Sequence, residues 1–120
     1  MAAPVNPSDY AKMMRKKAPA KDDAYFAIKY PAPQGLEGAG IVVATGGGLS
    51  AKMFGASVGS RVGFMTSFGS FSQYVLADSF ICIPLPDEMS FDIGSMSSIN
   101  PLSALGLVER VQRNGSAAFV

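Results

Sequence analysis

The sequence predicts a mainly β unit followed by helices and a single terminal strand. Three observations carry this. Between Gly38 and Pro86, short β-branched and aromatic runs alternate with glycines and prolines. From Ser90 onward the apolar residues recur at helical spacing instead. Behind Asn114-Gly115, the run "SAAFV" reads as the first residues of a buried, parallel strand.

Each element has a local reason. In Asn6-Pro7-Ser8-Asp9, proline moves Asn6 out of the α region, and Ser8 and Asp9 are capping residues. A turn or a helix start is expected there, with one short helix over "SDYAKMMRKK" beginning near Ser8. Residues 18–34 are loop-like, punctuated by Pro19, Pro31 and Pro33. "GAGIVVATG" is the first expected strand and "RVGFMT" the second. "GGGLSAKMFGASVGS" between them reads as a loop or a pair of turns. "FGSFSQYVLAD" is expected to be a third strand, with Phe71, Gln73 and Val75 on one face. "FICIPLP" is the fourth and ends at its prolines. Short strands joined by glycine turns suggest an antiparallel barrel or sandwich.

Ser90 is expected to cap a helix through "FDIGSMSSI". Asn100 before Pro101 reads as an N-cap followed by proline at the first helical position. Leu102, Leu105, Val108 and Val111 mark one helix face, with Glu109, Arg110 and Arg113 around the other side. A lone strand at 116–120 needs neighbours that these 120 residues do not supply. The chain therefore reads as cut at the threshold of an α/β domain.

Composition narrows the function classes. The 120 residues hold 48% hydrophobic and 16% charged residues, against about 25% charged in an ordinary soluble domain. Either some apolar surface meets another domain or chain, or neutral polar residues cover the surface instead. A net charge of +1 gives no footprint for nucleic acid. The basic cluster Lys12, Arg15, Lys16, Lys17 and Lys21, answered by Asp22 and Asp23, reads as a solvated face. Cys82 is the one cysteine, read as a buried and inert thiol suited to a reducing compartment. The chain has no histidine. Ser-His-Asp and Cys-His nucleophiles are therefore excluded, as are zinc sites built from Cys and His. No apolar run approaches the length of a membrane span, and the first residues lack a secretory core. An intracellular location, cytoplasmic or mitochondrial, is expected.

Several motifs fail on spacing. "GLEGAG" is not a dinucleotide fingerprint, because Val43 stands where the third glycine belongs and no helix follows. "GGGLSAK" is not a P-loop, because Met53 follows Lys52. "NGS" at Asn114 is better explained as a helix-to-strand turn than as a glycosylation site. The methionines are scattered and read as core filler.

Four motifs in order resemble the medium-chain dehydrogenase/reductase superfamily: "AAPVNPSDY", "GLEGAGIVVATGGG", "GSRVGF" followed by "GSFSQYV", and "INPLSALG". More narrowly they resemble its zinc-independent quinone-oxidoreductase-like and enoyl-reductase-like branch. The resemblance implies a GroES-like barrel over residues 1–88 with its first strands missing. Residues 89–120 would then hold connecting helices and the first strand of a truncated Rossmann domain. It implies NADPH as cofactor and no zinc. The loop that would hold the pyrophosphate lies beyond the chain.

In zinc alcohol dehydrogenases the turn written here Gly35-Leu36-Glu37 carries a metal-binding histidine at the Leu36 position. A ligand cysteine falls at Asn6, and a third ligand at or near Asn100. Leu36 has no lone pair to donate, and the two asparagines offer only weak neutral oxygens. By resemblance, Asn6, Asn100 and Ser103 are the candidate cofactor-binding residues, and Tyr10 and Asn6 the candidate catalytic ones. Read from the residues alone, Asn6 caps a turn and Asn100 caps a helix. Glu37 is then a structural acceptor in its turn, and Arg61 a salt-bridge partner.

Two functions are expected to compete. One is a zinc-independent NADPH-dependent reductase of quinones, enones or enoyl thioesters, inactive as this chain alone. The other is a non-catalytic GroES-like module serving as a structural subunit. Either calls for a partner: the missing Rossmann half, a second copy, or a larger complex that covers the C-terminal strand.

Overall fold

The computed structural model describes residues 1–14, 31–66 and 69–113. The basic residues from Arg15 to Lys21, the loop over 18–30 and the strand at 116–120 lie outside the described residues. Asn114-Gly115 lies outside them as well. Helix α1 spans Pro7–Met13, strand β1 Glu37–Ile41, helix α2 Leu49–Met53 and strand β2 Arg61–Met65. A single 3-10 turn at Ser79–Ile81 leads into strand β3, Cys82–Pro84. Helices α3, Phe91–Ser95, and α4, Ile99–Arg113, follow.

The strands form one antiparallel sheet in the order β1-β2-β3. In register, Gly38 faces Phe64, Gly40 faces Val62, and Gly63 faces Ile83. Ala2 adds one isolated bridge on the outer edge of β1, exchanging both backbone bonds with Ala39. The buried apolar residues are Ala39, Ala56, Val62, Phe64 and Leu85. Helix α3 lies against β1 and β2. A side chain at Gly63 would meet the Gly94 carbonyl at 3.0 Å, so the missing Cβ is what lets α3 approach the sheet.

Helix outweighs strand among the described residues, so the mainly β expectation is not met there. Two differences account for much of this. The loop predicted after β1 contains α2, whose Phe54 packs edge-on against Phe80 with ring centroids 5.1 Å apart. The third strand, expected over 68–78, does not form among its described residues, 69–78. Its leading backbone is already committed: Phe71 N–H donates to Gln34 O, and Ser70 N–H to Gly35 O. Gly35 has φ +92°, and a Cβ there would meet Phe71 Cδ1 at 2.6 Å. This glycine turn thus pins residues 70–71 and takes them out of any ladder. The fourth strand is shortened because Asp78 Oδ1 accepts from Phe80 N–H and starts the 3-10 turn.

The remaining expectations divide. Ser90 caps α3, its Oγ accepting from Ile93 N–H at 3.3 Å, although the helix ends at Ser95. Asn100 is not an N-cap: α4 starts at Ile99, and Leu102 N–H donates to Ser98 O. Pro101 still falls in the first turn, where its missing N–H costs nothing. Arg61 forms no carboxylate pair among the described residues. Its guanidinium donates to the carbonyls of Asp87 and Met89 and lies 4.6 Å from the centre of the Phe91 ring. Cys82 is half-buried, not buried. No helix among the described residues is long and apolar enough to cross a membrane.

Candidate functional site

The start of α1 is built by reciprocal capping. Asn6 O accepts from Asp9 N–H at 3.0 Å and Tyr10 N–H at 3.2 Å, and Asp9 Oδ2 accepts from Asn6 N–H at 2.9 Å. An acid at the third helical position reaching back to the cap is a capping-box arrangement. Because the Asn6 carbonyl takes the Asp9 N–H, the Asn6 side chain is free for another task. Asn6 Nδ2 donates to Glu37 Oε1 at 2.9 Å, and Asn6 Oδ1 accepts from Asn100 Nδ2 at 3.0 Å. Glu37 Oε2 accepts from Ile99 N–H, also at 2.9 Å.

The cluster is deeply buried: Glu37 is 0% exposed, Asp9 1% and Asn6 3%. Two carboxylates in such a place are costly unless hydrogen bonds and fixed dipoles hold them. Both sit at helix N-termini, Asp9 in the first turn of α1 and Glu37 against the first turn of α4. Each helix end supplies partial positive charge and an N–H without an intrahelical partner. Asp9 Oδ1 is buried without a partner among the described residues.

The sequence candidates fall into two groups around this cluster. Asn6 and Asn100 are brought together. Asn100 is exposed, and its Oδ1 has no partner among the described residues. Ser103 lies one turn further along α4, exposed, its Oγ donating to Ile99 O at 2.8 Å. Tyr10 projects from α1 one turn beyond Asn6 and is 60% exposed. Leu36 is half-buried and contributes its carbonyl, which accepts from Thr66 N–H at 2.7 Å. Among the described residues no three His, Cys, Asp or Glu side chains gather as a metal site.

Sequence reasoning underrated Glu37. It is an acceptor, but its partners come from α1 and α4 and not from its own turn. One signal was available: an acid set among glycines and apolar residues in a strand has to find donors elsewhere. Asp9 was legible as a capping residue, its carboxylate accepting from the Asn6 backbone N–H.

A concavity opens at the other end of β1. It has a volume of about 290 Å³ and is lined by Ile41, Val43, Val62, Phe64, Tyr74 and Leu76, with Cys82 at its wall. None of Asn6, Tyr10, Asn100 or Ser103 lines it. The Cys82 thiol is pushed above its ordinary range, first by burial and then by the charge of Asp78.

Comparison with known proteins follows the same outline. Residues 1–87 match the alcohol dehydrogenase GroES-like domain. The chain is 34% identical over 113 residues to the trans-enoyl reductase tndF of Aspergillus flavipes, covering 87% of this chain and 30% of that protein. It is 38% identical over 85 residues to the trans-enoyl reductase tazE of Aspergillus terreus, covering 63% of this chain and 28% of that one. A crystal structure from Mesorhizobium loti, assigned as an NADPH:quinone reductase, superposes with a TM-score of 0.70 at 32% identity, over 95% of this chain and 31% of that chain. The chain thus spans about 30% of the length of the curated relatives it matches.

Proposed function

From a chain that belongs to the medium-chain dehydrogenase/reductase superfamily, in its quinone- and enoyl-reductase-like branch, we propose one wall of an NADPH-dependent reductase. Its substrates would be quinones, enones or enoyl thioesters. The observation that carries this is the Asn6–Glu37–Asn100 cluster: it sets the start of α4 against β1 and leaves an exposed amide oxygen at Asn100. That oxygen fits the N–H of a nicotinamide carboxamide. Ser103, one turn along, offers a hydroxyl oxygen on the same helix. A reduced nicotinamide supplies the hydride when bound.

The chain's own residues would orient and polarise. Tyr10, exposed beside the cluster, is the group proposed to donate a hydrogen bond or proton to the substrate. Asn6 is better placed to hold Asn100 than to touch substrate, since both ends of its buried amide are engaged. What supports a zinc-free reading is the same spending of donors: Leu36 is apolar, and the Asn6 oxygen already accepts from Asn100. We propose that these 120 residues do not turn over alone, because the cluster furnishes one side of a cleft and positioning supplies much of the rate.

A full-length protein carrying these residues is expected to oxidise NADPH with at least one of the three substrate classes, and Tyr10→Phe to lower kcat. Absence of turnover with all three overturns the reading. One observation favours the competing reading of a structural subunit. Helix α4 has no buried residue, and Leu102, Leu105 and Leu107 are exposed. That reading expects α4 to be covered in a larger particle, which native mass would reveal.

A further inference from the structure

We infer that Glu37 is a positioning residue that fixes which end of the Asn100 amide faces outward. The geometry stands without any ligand; what it means for a nicotinamide rests on the reductase reading above.

The two ends of a side-chain amide are nearly equal in size, and only their partners decide which way each lies. Ile99 N–H is a backbone donor and cannot turn over. It holds Glu37 Oε2 at 2.9 Å. Oε1 of the same carboxylate meets the Asn6 amide at 2.9 Å. Both carboxylate oxygens face nitrogen and act as acceptors, so Asn6 has to turn its NH2 group inward. Its Oδ1 then faces Asn100, and the NH2 of Asn100 comes to it at 3.0 Å. What is left for the surface is Asn100 Oδ1, an acceptor. A fully buried carboxylate thus writes its polarity, through one intervening amide, onto an exposed residue. On the reductase reading, the site favours a ligand that brings an N–H, as a nicotinamide carboxamide does, over an analogue with a ketone in its place.

Glu37→Gln keeps the shape and reverses the chain. Ile99 N–H still demands an oxygen, so the new NH2 group faces Asn6. Asn6 and Asn100 both turn over, every hydrogen bond is kept, and Asn100 now shows its NH2 group. Side-chain amide exchange, followed by 15N NMR on the full chain with Asn100→Ala to assign the signal, reads this directly. In the wild type one Asn100 Nδ2 proton is expected to exchange about tenfold more slowly than a free asparagine amide. In Glu37→Gln the Asn6 NH2 group stays bonded, now to Asn100 Oδ1, and the Asn100 amide loses its acceptor and exchanges at the free rate. Unchanged Asn100 exchange in a folded variant overturns the inference. A wild-type Asn100 amide that already exchanges freely overturns it without any variant. Neither measurement uses cofactor, so failure here is distinct from failure of the reductase reading, which NADPH titration of the full-length protein decides.

Discussion

The two ends of β1 are opposites. At one end Glu37, a carboxylate, is 0% exposed; at the other Ile41 is 50% exposed and opens into a groove whose Leu76 is 94% exposed. Hydrophobicity alone would have reversed the two. Burial follows available partners: Glu37 has two N–H donors converging on it from different helices. Around Ile41 the neighbouring chain is anchored to Gln34 and Gly35 only at residues 69–71, and residues 73–77 line the groove without burying it. A polar group with its donors in place is held more firmly than an apolar one without neighbours.

The sharpest way to break this comparison is to remove the acceptor. Glu37→Ala leaves the Asn6 amide and Ile99 N–H unsatisfied in a buried site and is expected to cost about 3 kcal/mol. Urea unfolding checks this, and a loss well under 1 kcal/mol would show that water replaces the carboxylate without penalty. Next in size is Gly35→Ala. A left-handed backbone and a contact with Phe71 should together cost about 2 kcal/mol. The same change should release residues 70–71, visible as faster amide exchange at Phe71. Leu76→Ser at the open end should change stability by no more than about 0.5 kcal/mol. A larger loss would mean that the groove is covered in solution and that the two ends differ less than they look.

The smallest effect belongs to Cys82. Its thiol titrates above the ordinary 9.0 in the folded chain, so the folded state binds the proton more tightly than the unfolded one. That contribution is full below the ordinary value and is lost as pH rises through the raised one. Urea midpoints from about pH 8 to about pH 10 should therefore fall more steeply for the wild type than for Cys82→Ala. Equal slopes would discard the shift.

What the sequence disclosed and what it hid divide along the same line. Local signals were readable: Ser90 as a cap, the glycine-bounded runs behind β1 and β2, and the helical spacing from Leu102 to Val111. The strand expected over 68–78 failed because the backbone partners of its leading residues, Gln34 and Gly35, lie some 35 residues upstream, and alternation of side chains carries no information about that. The site was half legible. Resemblance nominated Asn6 and Asn100, but their pairing across 94 positions follows no local rule. Glu37, the group that orders both, looked like an ordinary turn residue until its two donors were seen.

The cluster also sets an order of events during synthesis. Its members are separated by 31, 62 and 94 positions, so it has none of the short-range contacts that make folding fast. As the chain emerges, Asn6 can meet Glu37 early, but Ile99 and Asn100 come last. Until they arrive, the Glu37 carboxylate lacks one donor, and β1 cannot bury it at low cost. The most buried side chain of the sheet therefore has its full set of donors only once the start of α4 has docked.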